Sequence, residues 1–110
     1  MQAYRLRPGA GLDGLQLVDS PVPQCGPFDV LLRVRAASLN YRDLVFAKGG
    51  YANVPAGPTI PLAECAGDVI EVGSGVTRLK VGDRVVNSYF PHWIDGAATP
   101  VTVVNISTST

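Results

Sequence analysis

The chain has 110 residues, enough for one domain that buries roughly two-thirds of its unfolded surface without disulfide or metal staples. Nine Lys+Arg balance nine Asp+Glu, so no net field recruits nucleic acid or an anionic membrane. No apolar run reaches the ~18 residues a membrane span needs, and "MQAYRLRPG" lacks a signal-peptide core, so the expected compartment is the cytoplasm, where Cys25 and Cys65 stay reduced.

The dominant hydrophobic period is two, which predicts strands. "AYRLR" (3–7) alternates and opens the chain. "GAGLDG" (9–14) matches the dinucleotide fingerprint G-x-G-x-x-G, but it follows Pro8 and leads into the strand-like "LQLVD" (15–19). A fingerprint needs a helix after its glycines to hold the pyrophosphate, so this stretch reads as a hairpin loop. In "LLRVRA" (31–36), Leu32, Val34 and Ala36 are expected on one face and Arg33 and Arg35 on the other.

"SLNYRDLVFAKGGY" (38–51) breaks the strand period. Tyr41, Leu44, Val45 and Lys48 share a helical face, which predicts a short helix near 41–48. Asn40 suits its N-cap, Asp43 can return the hydrogen bond as in a capping box, and Gly49–Gly50 supply the left-handed stop. That alone would account for both polar residues.

"IPLAECAGDVIEVG" (60–73) is an apolar stretch interrupted by Glu64. A buried carboxylate is costly without a partner, so Glu64 is expected either to pair with an arginine such as Arg84 or Arg42 or to sit at a cleft. "GDVIEVG" (67–73) and "DRVVNSYF" (83–90) read as strands. Gly73 and Gly75 flank a hairpin turn between them, and Gly82 and Asp83 turn the chain into the second. "SPVPQCGP" and "VPAGPTIP" are further turn signals. Short strands separated by twelve Gly and nine Pro predict a mostly β, antiparallel barrel or sandwich.

Beyond Asp95 the chain carries no charge, and Val101–Val104 is one further candidate strand. Asn105-Ile106-Ser107 fits the glycosylation pattern, which means little without an export signal. Cys25, Cys65 and His92 show no metal-ligand spacing, so no metal site is expected. His92 with Asp95 suggests a hydrolase only in name, because no G-x-S-x-G elbow exists and "PHWIDG" reads as a loop.

The order of "DVLLRVRAASLNYRD", "GGY" and "IPLAECAGDVIEVGSGVTRLKVGDRVV" resembles the GroES-like catalytic domain of medium-chain dehydrogenase/reductases. Its most specific part is a pattern carried by Glu64, Gly67, Val69, Val72, Gly73, Val76, Gly82, Asp83 and Val85. The resemblance covers residues 1–96 and leaves 97–110 as an atypical tail. It implies a partly open antiparallel barrel with one short helix. It also implies a substrate cleft shared with a Rossmann domain that binds NAD(P) in whole members.

Zinc-dependent members place a cysteine where this chain has Asn40 and a histidine where it has Ala63. The resemblance therefore implies the zinc-independent, quinone-oxidoreductase-like branch, acting on a carbonyl, quinone or enone. There Asn40, Tyr41, Asp43 and Glu64 would line the substrate and nicotinamide pocket, and Tyr51 would be a proton donor. The chain is expected to bind no cofactor and to be inactive by itself, NAD(P) belonging to a full-length parent. Whether it is a piece of a longer protein or a shortened member with a replaced C-terminus stays open. The competing expectation is a non-catalytic barrel that binds a protein partner or forms a homodimer, with Val101–Val104 adding to a neighbour's sheet.

Overall fold

A computed structural model describes residues 1–51, 57–90 and 95–97. His92 and the candidate strand Val101–Val104 lie outside them. Two antiparallel sheets and one helix are present among the described residues: β1 (Gln2–Leu6), β2 (Leu15–Asp19), β3 (Val30–Ala37), α1 (Tyr41–Ala47), β4 (Cys65–Val72) and β5 (Arg84–Val86). The mostly β, partly open architecture expected from the sequence is what forms.

β1 and β2 pair from Gln2↔Asp19 to Leu6↔Leu15, and a single 3-10 turn at Leu12–Gly14 closes the hairpin. The "GAGLDG" glycines thus join antiparallel strands. Gly9 and Gly49 both have positive φ, and a Cβ on Gly49 would lie 3.0 Å from the Gly9 Cα. Glycine at both lets the hairpin loop touch the helix end. Gly11 N–H then reaches the Ala47 carbonyl at 2.9 Å. Leu6, Phe46 and Ala47 form the small core that this contact closes. Reciprocal bonds between Leu6 and Thr59, at 2.8 and 3.0 Å, bring the segment before β4 to the same place.

The second sheet has the order β3–β4–β5. β4 buries Gly67 and Val69 and turns Asp68 and Ile70 toward solvent. Strict alternation fails on β3. The ladder shifts between Leu31/Leu32 and between Val34/Ala36, so Leu32 and Val34 oppose Val69 and Gly67 while Ala36 opposes Ala66. A bulge changes which face the following residue presents. It removes Ala36 from the face that simple alternation assigns it.

β5 is shorter than its sequence signal because Asn87 ends it with its side chain. Asn87 N–H continues the ladder to the Cys65 carbonyl at 3.2 Å. Its Oδ1 accepts from Cys65 N–H and its Nδ2 donates to the Ala63 carbonyl, both at 2.7 Å.

The connection between β4 and β5 is not one tight hairpin. Gly73 and Gly75 belong to a turn packed on the loop before β3, where their N–H groups bond the Asp29 and Pro27 carbonyls at 2.8 and 2.7 Å. The tight turn is Lys80–Asp83, closed by Asp83 N–H to the Lys80 carbonyl at 3.1 Å, with Gly82 at φ 95°. Asp83 also caps it, Oδ2 accepting from Lys80 N–H at 3.0 Å. A hydrogen bond and the charge of Lys80 hold the Asp83 carboxyl below its ordinary pKa.

Asp68 crosses the sheet. Its oxygens accept from Arg35 Nε at 2.8 Å and Arg84 Nε at 3.3 Å. These bonds lower its pKa. A carboxyl depressed by folding contributes stability above its unfolded value of about 3.9, and that contribution disappears as pH falls through the lower folded value. The pairs are exposed, so the effect is small and weakened by salt. Acid denaturation monitored by circular dichroism should therefore show a shallower loss of stability below about pH 4 in Asp68→Asn than in the wild type.

Gly73 and Gly82 should resist substitution for different reasons and to different degrees. A Cβ on Gly73 would fall on the carbonyl oxygens of Gly26 and Pro27. Gly82 has open space but a positive φ. Urea denaturation should show Gly82→Ala losing about 1–2 kcal/mol. Gly73→Ala should lose more than the ~1 kcal/mol of an average substitution. Gly57→Ala, with no described residue within 4 Å of its Cβ, should change little.

Candidate functional site

Asn40, Asp43 and Glu64 come together where α1 begins and β4 enters the sheet. Asn40 is extended, at φ −127° and ψ 154°, as an N-cap requires, and it stands in a capping-box relation with Asp43. Asp43 Oδ2 accepts from Asn40 N–H at 2.8 Å. Asn40 also bridges outward. Its Nδ2 donates to Glu64 Oε2 at 2.9 Å and its Oδ1 accepts from the Ser38 hydroxyl at 3.3 Å. The helix cap is therefore also the centre of the polar cluster.

Of the two expectations for Glu64, the arginine pair does not form. Glu64 is exposed, and it pairs with neither arginine proposed for it. Arg84 is engaged by Asp68 and Arg42 by Asp43. The backbone explains why Glu64 faces Asn40. Ser38 N–H binds the Glu64 carbonyl at 3.1 Å, and Asn87 grips Ala63 and Cys65 on either side of it. Just before this grip, Leu62 takes φ 75°, a left-handed conformation rare outside glycine. Such strain persists only where surrounding bonds enforce it.

Tyr51 joins the cluster through Arg42. The Arg42 guanidinium carbon lies 5.9 Å from the Tyr51 ring centroid and 5.5 Å from that of Tyr89. Its Nη1 lies 3.6 Å from Asp43 Oδ1. The Tyr51 ring also tilts at 45° to Phe46, centroids 6.5 Å apart. Tyr41, by contrast, is 81 % exposed, as is Leu39 at 85 %, so two apolar side chains flank Asn40 in the open. Gly73, Gly75, Gly82 and Asp83 belong to the turns between β4 and β5 and take no part in these contacts.

Sequence reasoning missed Ser38, Asn87 and Tyr89, and it offered Arg42 to Glu64 rather than to Asp43 and the tyrosine rings. Asn87 had one available signal: a lone amide at the end of a β-branched run, where a side chain can take over a ladder.

Chemically, the cluster is a hydrogen-bonding surface without an activated nucleophile. One Asn40 Nδ2–H remains beyond the bond to Glu64, while Oδ1 is shared between the capping box and the Ser38 hydroxyl. Among the described residues, no three His, Cys, Asp or Glu side chains converge as a metal site would require. The glycine-rich stretch is also not built as a dinucleotide fingerprint. It closes an antiparallel hairpin, and no parallel strand pair is present among the described residues to create a switch-point crevice.

Residues 26–102 match the family described as the alcohol dehydrogenase GroES-like domain. A zinc-type alcohol dehydrogenase-like protein of Schizosaccharomyces pombe is 40 % identical over 91 residues, which is 82 % of this chain and 26 % of that protein. Among solved structures, a quinone oxidoreductase of Pseudomonas syringae superposes with a TM-score of 0.74 at 37 % identity, over 82 % of this chain and 27 % of its own. The Escherichia coli quinone oxidoreductase complexed with NADPH superposes with a TM-score of 0.70 at 31 % identity, over 78 % and 26 %. The chain thus spans about a quarter of the length of the relatives it matches.

Removing the two amides should separate capping from clamping. Asn40→Ala should cost ~1 kcal/mol, the usual loss of a cap. Asn87→Ala should cost about 1–3 kcal/mol, because it strands the Ala63 carbonyl and the Cys65 N–H. Thermal and urea denaturation measure both. Amide hydrogen exchange should further show Cys65 losing protection in Asn87→Ala and keeping it in Asn40→Ala.

Proposed function

The chain belongs to the alcohol dehydrogenase GroES-like domain family, and from that premise we propose that it forms the substrate-side wall of a zinc-independent NAD(P)H oxidoreductase. The observation that carries this reading is the Asn40–Glu64–Asp43 cluster. It puts amide and carboxylate groups, rather than imidazole and thiolate, at the mouth of the helix, with Leu39 and Tyr41 open beside it. A polar centre with an apolar rim suits a small carbonyl, quinone or enone, held by its oxygen and covered on its ring or chain.

In this reading Asn40 hydrogen-bonds the acceptor, Tyr41 contributes contact area and Glu64 orients the Asn40 amide. Tyr51, 37 % exposed, is the candidate proton donor. The nicotinamide cofactor, when bound in a full-length protein, supplies the hydride. This chain supplies the wall against which the acceptor is oriented. The S. pombe relative's name carries the word zinc, and the Asn40 and Ala63 positions are the features that argue for different chemistry here.

A second reading rests on a different observation. Phe28, Leu39, Tyr41 and Val86 are each at least 75 % exposed, which leaves apolar surface for a further domain or a second copy to cover. Self-association of the isolated chain is compatible with the oxidoreductase reading and follows from the same surface.

The isolated 110 residues should neither quench NADPH fluorescence nor oxidise NADPH with any quinone or enone. A chimera in which residues 1–96 replace the matching segment of the E. coli quinone oxidoreductase should turn over, and Asn40→Ala within it should lower kcat/KM at least ~tenfold. A folded but inert chimera, or an Asn40→Ala chimera with unchanged kinetics, would contradict the assignment. Stoichiometric zinc in the chain purified without an affinity tag would contradict the metal-free reading.

A further inference from the structure

Arg42 is charged, and only 13 % of its side chain is exposed. Its Nε is buried and has no hydrogen-bond partner among the described residues, and the same is true of Asp43 Oδ1. A guanidinium taken out of water needs replacements for the lost hydration. Among the described residues Arg42 has three: the Asp43 carboxylate at 3.6 Å, the Tyr51 ring at 5.9 Å and the Tyr89 ring at 5.5 Å.

These three replacements differ in how firmly they are held. Asp43 is fixed by its bond to the Asn40 backbone and by its place in the first turn of α1. Tyr51 follows Gly49 and Gly50, the pair that ends the helix, so the backbone beside it is permissive. Tyr89 lies beyond the end of β5, edge-on to Phe90 at 4.6 Å. Arg42 therefore stands between one rigid element and two rings on irregular chain.

We propose that Arg42 is the positioning residue that sets the Tyr51 ring at the candidate site, with Tyr89 as the second plate of the clamp. Its importance for catalysis rests on the reading that Tyr51 faces the substrate; the clamp itself does not. A flat guanidinium can lie against rings while one nitrogen points at a carboxylate, which an ammonium on a flexible stem cannot do. An arginine serving only as counter-ion to Asp43 would need neither ring, and lysine would replace it.

The test is nuclear magnetic resonance of the full 110-residue chain with isotope-labelled tyrosine. The Tyr51 χ1 rotamer is read from three-bond couplings in the wild type, in Arg42→Lys and in Tyr89→Leu. Tyr89→Leu leaves the Arg42–Asp43 pair intact, so it keeps the test alive if Arg42→Lys fails to fold. A single Tyr51 rotamer is expected in the wild type, and averaging over at least two in each folded variant, with the β3–β5 amide signals unchanged. A Tyr51 ring that averages in the wild type, or stays in one rotamer in the folded variants, would overturn the proposal. The readout is a ring conformation, so an inert chimera would defeat the oxidoreductase reading without touching the clamp, and a freely rotating ring would do the reverse.

Discussion

A hydrogen bond from Asn40 Nδ2 to Glu64 Oε2 at 2.9 Å links the cap of α1 to the entry of β4, at the place where the polar chemistry of this molecule gathers. On one side is the unit of β1, β2 and α1, closed by Leu6, Phe46 and Ala47. On the other is the β3–β4–β5 sheet. Both ends of this bond are held by further bonds. Asp43 and the helix turn fix Asn40, while Ser38 and Asn87 fix the backbone around Glu64. Polar groups held this way lose little further entropy when they meet a ligand, which is what preorganisation means physically.

Much of this was legible in the sequence. Alternation located every strand of the two sheets, because one face of each must find apolar neighbours. Asn40, Asp43 and the glycine pair marked the helix, since unsatisfied end groups demand those residue types. What escaped depends on contacts between distant segments. Glu64 looked buried because its neighbours are apolar, yet its partner is 24 positions away on the helix cap. The bulge near Arg35 is a matter of ladder register, which alternation cannot reveal. Arg42 and Tyr89 meet only through tertiary packing, and neither carries a local signal.

The resemblance and the physical reading support each other at different scales. Family membership places the chain among GroES-like domains of dehydrogenases and quinone oxidoreductases, and the superpositions agree. The bonding pattern then says what individual residues within it do. Asn87 replaces a length of strand, and Arg42 takes up ring faces in place of water. The strained Leu62 backbone lies in the chain between Thr59, bonded to Leu6, and Ala63, bonded to Asn87, where a distorted conformation can be sustained.

The central claim is that the Asn40–Glu64 cluster is where a small carbonyl compound or quinone meets this chain. Titration of a soluble quinone into the isotope-labelled chain tests it most directly, because amide and side-chain shifts report even weak, millimolar contact. The account predicts shifts confined to residues 38–43, Tyr51 and residues 63–65, with the Asn40 side-chain amide among the largest. Shifts centred instead on the cleft of Arg7, Ala10, Gly14, Gln16 and Pro58, or none at saturating quinone, would contradict it.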